Sequence, residues 1–278
     1  MSARYIIGSI LTIPLLPMLY LHGRKVKNTI PDLPEAIDPV GVSGLSTNRK
    51  LRVLVLGEST MAGVGVETHK EGFAGTLANE LAANMNLGVQ WKVQAKSGIT
   101  MARISSELLS DLDEYDWDLV VVGIGGNDAF KLNNPWRWKA QARFLIHELK
   151  LKFDDTPVVF TNMPPIREFP AFTPLMKWAI GNLVEILGEA LAVVVAEFEK
   201  VYYSSEVISI ESWSRKYNLS NNLSLYFSDG VHPSKLTYQT LAKQLVEFIQ
   251  EKEILEFEKN NKQPIKEEVH TIERSRRL

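Results

Sequence analysis

The sequence predicts a three-layer α/β/α sandwich built on a five-stranded parallel sheet. Short, wholly apolar runs such as Val53-Leu54-Val55-Leu56 and Leu119-Val120-Val121-Val122 have the composition of strands buried on both faces. Amphipathic helical stripes separate these runs, and right-handed crossovers then place helices on both sides of the sheet. Each run stops abruptly at a glycine-rich or polar turn, on the edge where open α/β sheets bind their ligands.

The chain has 278 residues, 45% hydrophobic and 23% charged, enough for one core and two added segments. A net charge of -2 gives no electrostatic ground for a nucleic-acid partner. With no cysteine, disulfides, thiolate metal sites and a cysteine nucleophile are excluded, while the redox compartment is left open. No His/Asp/Glu group has ligand spacing, so no metal site and no cofactor is expected.

Residues 1–27 read as an N-terminal membrane anchor. Tyr5 to Leu21 carry no charge, and as a helix they reach about 25 Å, just enough to span, with Pro14 and Pro17 tolerated as kinks. A cleaved signal peptide is the competing reading, but a small-x-small cleavage site is missing; a buried or interfacial helix is the third. The membrane side is left open. Arg24, Lys25 and Lys27 outnumber Arg4 plus the amino terminus, a slight lean toward a cytoplasmic domain behind an anchor at residues 5–22.

Residues 28–49, punctuated by Pro31, Pro34 and Pro39 and without periodicity, read as a linker. The domain is expected over residues 50–250. Its first strand, Leu51 to Leu56, ends at Gly57-Glu58-Ser59-Thr60. Phe73, Leu77, Leu81 and Met85 then form the apolar face of a helix. Val89 to Ala95 is the second strand, and Ile104, Leu108, Leu109 and Leu112 make the next helical stripe. Strand three is Asp118 to Ile124, followed by a helix from about Pro135 to Lys152. Strand four is Pro157 to Thr161, a long stripe runs from Leu175 to Phe198, and strand five is Val201 to Tyr203. The last helix starts after Pro233. Residues 251–278, with seven acidic and seven basic side chains, read as a solvated, fraying extension.

Ser59 falls at the carboxyl end of the first strand, where a hydroxyl on a glycine-flanked turn is a candidate nucleophile. Alone it is equally a helix cap or turn residue. Three later stretches stand beside it: Gly98 after the second strand, Gly125-Gly126-Asn127-Asp128 after the third, and Asp229-Gly230-Val231-His232 before the last helix. Each has an ordinary reading as turn or cap. Taken together and in this order, they resemble the SGNH (GDSL-like) hydrolase family over roughly residues 51 to 250, a set built on a flavodoxin-like sheet.

The resemblance implies a serine esterase or acyl hydrolase. It assigns Ser59 as nucleophile, His232 as general base and Asp229 as the group that orients it. The Ser59 and Gly98 backbone N–H groups and the Asn127 amide would form the oxyanion hole. Asp128 would support its loop. One position departs from the family: Glu58 stands where Asp is common, so a small change in loop packing is expected. Trp136 and Trp138 cannot share one helix face, so one is expected in the core and the other at a cleft. His22, His69, His147 and His270 sit in no such context and read as solvated or linker positions. The expected substrate is a small-molecule or lipid ester. An O-acetyl ester of a cell-envelope glycan is the close alternative, and a catalytically silent binding module or a nucleotide-binding protein on the same sheet are the others.

Overall fold

The computed structural model describes residues 3–44, 50–112 and 116–255. Six strands form one sheet: β1 (Val40–Ser43), β2 (Lys50–Gly57), β3 (Gly88–Ala95), β4 (Leu119–Gly123), β5 (Val158–Phe160) and β6 (Val201–Tyr203), in the order β1-β3-β2-β4-β5-β6. From β3 through β6 every pairing is parallel, as expected; β1 adds an antiparallel edge on β3. The sixth strand comes from the stretch that reads as linker. Val40 and Val42 are exposed and, among the described residues, the strand has only one neighbour, so its sequence shows no buried-face alternation.

The run Val53 to Leu56 is continuous because the sheet is covered twice. Val53 and Val55 pack with α3 (Phe73–Met85) and α9 (Lys235–Glu251), whereas Leu54 and Leu56 pack with α6 (Pro135–Phe153) and α7 (Pro174–Val195). Those four helices are the outer layers. Proline and a capping side chain start α6 and α7: Asn134 Oδ1 accepts from Trp136 N at 2.9 Å, and Thr173 Oγ1 accepts from Met176 N at 3.4 Å. Three short helices, α4 (Met101–Ile104, continued by a π-turn to Leu109), α5 (Gly126–Phe130) and α8 (Ile210–Tyr217), complete the domain. The charged segment beyond residue 255 lies outside the described residues.

From β2 the chain passes to β3 on one side, then crosses to β4 on the other. This reversal makes the carboxyl end of β2 a topological switch point, and Ser59 follows it by two residues. The turn is tight. Gly57 has φ +151°, and a Cβ there would meet the Gly123 carbonyl at 2.0 Å, so the β2 and β4 ends approach each other only because residue 57 is glycine.

The N-terminal helix pair, α1 (Ala3–Thr12) and α2 (Leu16–Thr29), is joined by one 3₁₀ turn and lies along the domain. Arg4 pairs with Glu185 and, at 2.7 Å, with Glu189 near the end of α7, while His22 Nδ1 meets Thr173 Oγ1 at 3.0 Å where α7 begins. The helix pair therefore runs antiparallel to α7. Its far side is apolar and exposed, with Ile7, Ile10, Leu11, Ile13 and Leu21 facing outward.

Candidate active site

Asp229 and His232 meet on the loop between α8 and α9. Asp229 Oδ2 lies 2.7 Å from His232 Nδ1, and its Oδ1 accepts the backbone N–H of Val231 at 2.9 Å and of His232 at 2.7 Å. The i to i+3 spacing lets one turn hold both groups, and Ser234, capping α9, fixes where that turn ends. The Asp229 side chain is fully shielded and the His232 side chain 24% exposed. Burial works to raise the Asp229 carboxyl, but the His232 and Val231 hydrogen bonds outweigh it and hold it below its ordinary value. As acceptor for Nδ1–H, the carboxylate leaves Nε2 free to take a proton.

Ser59 sits in the turn after β2 and makes no hydrogen bond to His232. The two loops meet through their neighbours. Tyr238 Oη donates to the Val64 carbonyl at 2.8 Å, and Ser228 Oγ donates to the Gly65 carbonyl at 3.0 Å. Glu58 and Thr60 on one side and Val231 and Pro233 on the other line a single hollow of about 50 Å³. Catalytic serine–histidine bonds are commonly long before substrate arrives, so this geometry is compatible with the pair acting together.

Glu58 does more than the sequence suggests. It is buried at the carboxyl end of the sheet, where Oε1 accepts Gly126 N–H at 2.7 Å and Oε2 accepts Asn127 N–H at 2.9 Å and Asn127 Nδ2–H at 2.8 Å. One carboxylate thus ties the Ser59 turn to the start of α5 and fixes the Asn127 amide, whose second N–H stays available. Burial pushes the Glu58 carboxyl up from 4.5 to about 7; the Asn127 and Gly126 N–H donors oppose this, and nearby Asp128 adds to it. In the sequence Glu58 stands out only as a departure from the family, because its partners lie 68 and 69 positions away.

Gly98 is exposed on the β3–α4 loop with φ +76°, a left-handed conformation that suits glycine, and a Cβ there would meet nothing within 4 Å. The backbone at residue 98 is therefore open to an approaching ligand. Asp128 has the supporting part expected of it: its carboxylate accepts Met101 N–H at 3.0 Å and Asn133 Nδ2–H at 2.9 Å, holding the α4 and α5 loops together. Burial raises its carboxyl despite these donors.

Two expectations change. His69 is buried, and burial lowers its imidazole. His22 packs against Thr173 and is no free linker residue. His147 is exposed as expected, and His270 lies outside the described residues. Trp138 is the core tryptophan, its Nε1 donating to the Leu187 carbonyl at 2.9 Å; Trp136 meets Tyr5 of α1 edge-on at 5.2 Å, so its neighbour is the N-terminal helix.

The family model for the GDSL-like Lipase/Acylhydrolase family matches residues 55–240. None of the curated proteins matches the chain. Among solved structures it is similar to a putative GDSL-like lipase from Parabacteroides merdae (15% identity, TM-score 0.58, covering 76% of this chain and 100% of that one). It is similar to the Clostridium thermocellum family 3 carbohydrate esterase (18%, TM-score 0.54, 73% and 96%) and to a lipase/acylhydrolase from Enterococcus faecalis (19%, TM-score 0.51, 73% and 96%). At such identities the structures speak to the fold alone, and the family rests on the match over residues 55–240: the chain belongs to the GDSL-like lipase/acylhydrolase family.

Proposed function

We propose that the chain hydrolyses carboxylic esters through an acyl-enzyme, with Ser59 as nucleophile and a lipid or acyl ester as substrate. The observation that supports this most is the 2.7 Å Asp229–His232 pair beside the turn that bears Ser59. Ser59 Oγ attacks the ester carbonyl carbon while its proton passes to His232 Nε2, and Asp229 stabilises the imidazolium that forms. The carbonyl oxygen gathers negative charge, received by the backbone N–H groups of Ser59 and Gly98 and the free N–H of Asn127 Nδ2. Collapse breaks the C–O bond, and the His232 proton goes to the leaving alkoxide. Water then attacks the acyl-Ser59 carbonyl, gives its proton to His232 Nε2, and the acid departs as Ser59 recovers its proton.

The membrane reading rests on the N-terminal helix. Residues Arg4–Thr29 are long and apolar enough to cross a bilayer. Because the helix is docked on the domain along α7, an in-plane seat fits better than a perpendicular span: its outward residues enter the lipid while the domain rides above. Hydrolysis of a p-nitrophenyl ester series by the full chain tests the activity. Turnover abolished by Ser59→Ala supports it, turnover unaffected by that change refutes it, and a strong acetate preference would redirect the substrate to an O-acetyl glycan.

A further inference from the structure

An apolar groove of about 870 Å³ runs between α2 and the domain, within the roughly 300–1,000 Å³ of small-molecule sites. Leu19 and Gly23 form the α2 wall; Phe172, Met176 and Ile180 form the opposite wall. The antiparallel docking orders it. His22 against Thr173 sets the Gly23-to-Ile30 end of α2 beside Phe172 and Val231, and so beside His232, whose preceding residue is Val231. Toward the other end, Leu16 and Leu132 line both this groove and a smaller hollow of about 250 Å³ between α1 and α7, so the apolar path continues away from the site. Val231 lines the groove and also the small hollow between the Ser59 and His232 loops.

Charge is confined to one end. Arg24 and Lys27 line the groove near Val231, and neither has an acidic partner among the described residues. The groove thus has a cationic, catalytic end and a long apolar end, matching a single-chain anionic amphiphile and not a short polar acyl group.

Resting on the ester-hydrolase reading above, we infer that the N-terminal helix is one wall of the substrate site. The acyl chain of a long-chain ester lies between α2 and α7, with the ester carbonyl at the Val231 end and the anionic part of the molecule against Arg24 and Lys27. The helix then serves both as membrane contact and as substrate channel, so a lipid chain can enter from the bilayer along the surface to which the enzyme is attached.

Gly23 offers a clean obstruction. Gly23 lines the groove and a Cβ there meets nothing within 4 Å, so Gly23→Leu and Gly23→Phe begin in open space, and replacing a helical glycine favours the helix. Two readouts on the full chain separate the groove from the chemistry. In the first, Ser59→Ala protein in lipid nanodiscs is irradiated with a diazirine-bearing long-chain fatty acid. The inference expects label on the Met176–Ile180 face of α7, falling at least tenfold in Gly23→Phe and little in Gly23→Ala. Label only on the outward residues of α1 and α2, or label on α7 that Gly23→Phe leaves intact, overturns it. In the second, the ratio of kcat/KM for dodecanoate to that for acetate is expected to fall at least tenfold in Gly23→Phe, with Gly23→Leu between; an unchanged ratio overturns the inference. Labelling without any hydrolysis leaves the groove standing and removes the hydrolase reading; hydrolysis without the Gly23 effect does the reverse.

Discussion

At the scale of single residues, the site depends on which hydrogen bonds exist before substrate arrives and which form only in the transition state. Asn127 is held by Glu58 through one N–H of its amide, leaving the other for the proposed oxyanion contact. Asn127→Ala is expected to lower kcat by about 10²–10³ with little change in KM, because the lost contact is made chiefly in the transition state. Steady-state kinetics together with a thermal midpoint check this: a fall in the midpoint with kcat per folded molecule preserved would make Asn127 a turn residue. Glu58 supplies a second test, through pH. Its carboxyl stays protonated in the folded state up to about 7, whereas the unfolded chain releases that proton near 4.5. Between those values the unfolded state binds fewer protons, so this group makes stability fall as pH rises, by up to about 3 kcal/mol across the window. Denaturant melts at pH 5 and pH 8 on wild type and Glu58→Gln should show that slope reduced in the variant. Above about pH 7, where Glu58 is ionised, the variant should also lose about tenfold in kcat, since one amide oxygen cannot take the three donors that the carboxylate holds.

At the scale of elements, what the sequence reveals follows from where each signal resides. β2 and β4 are legible as continuous apolar runs because both of their faces are buried, and the long helices because their apolar residues recur at helical spacing. β1 is not, since an edge strand with exposed valines carries no such pattern. The short α5, five residues long, offers too few turns for a helical period to show. The site divides the same way: the Asp229–His232 pair is legible because four consecutive residues of one turn contain the whole interaction, while the Glu58–Asn127 tie spans the sheet and appears only once β2 and β4 are adjacent. The docked helix is the largest addition, because an apolar segment suits lipid and protein equally. The absence of cysteine makes docking directly testable. His22→Cys with Thr173→Cys, treated with a short bismaleimide in membranes, should join α2 to α7 in high yield; failure to cross-link would detach the helix from the domain and close the groove as a substrate path.

For the whole molecule, the helix pair gives the protein one apolar side. Ile7, Ile10, Leu11 and Leu21 are each more than half exposed, and Trp136, at 45%, borders the same side through its contact with Tyr5. Burying that side in a bilayer would orient the Asp229–His232 loop near the lipid surface. Ile10→Asp combined with Leu21→Asp should weaken vesicle binding of the full chain by about tenfold or more while its thermal midpoint holds, because both side chains face away from the core. Vesicle flotation checks this, and undiminished binding would place the membrane contact elsewhere.

The most direct measurement is covalent labelling of the full chain with a fluorophosphonate, followed by peptide mapping. A serine that acts as the nucleophile, with its proton drawn off by His232, reacts at phosphorus and retains the adduct. A single adduct is expected at Ser59, lost in Ser59→Ala and slowed by at least about 10³ in His232→Ala. An unlabelled Ser59 in correctly folded protein, or labelling at Ser59 that proceeds equally fast without His232, would contradict the proposed mechanism.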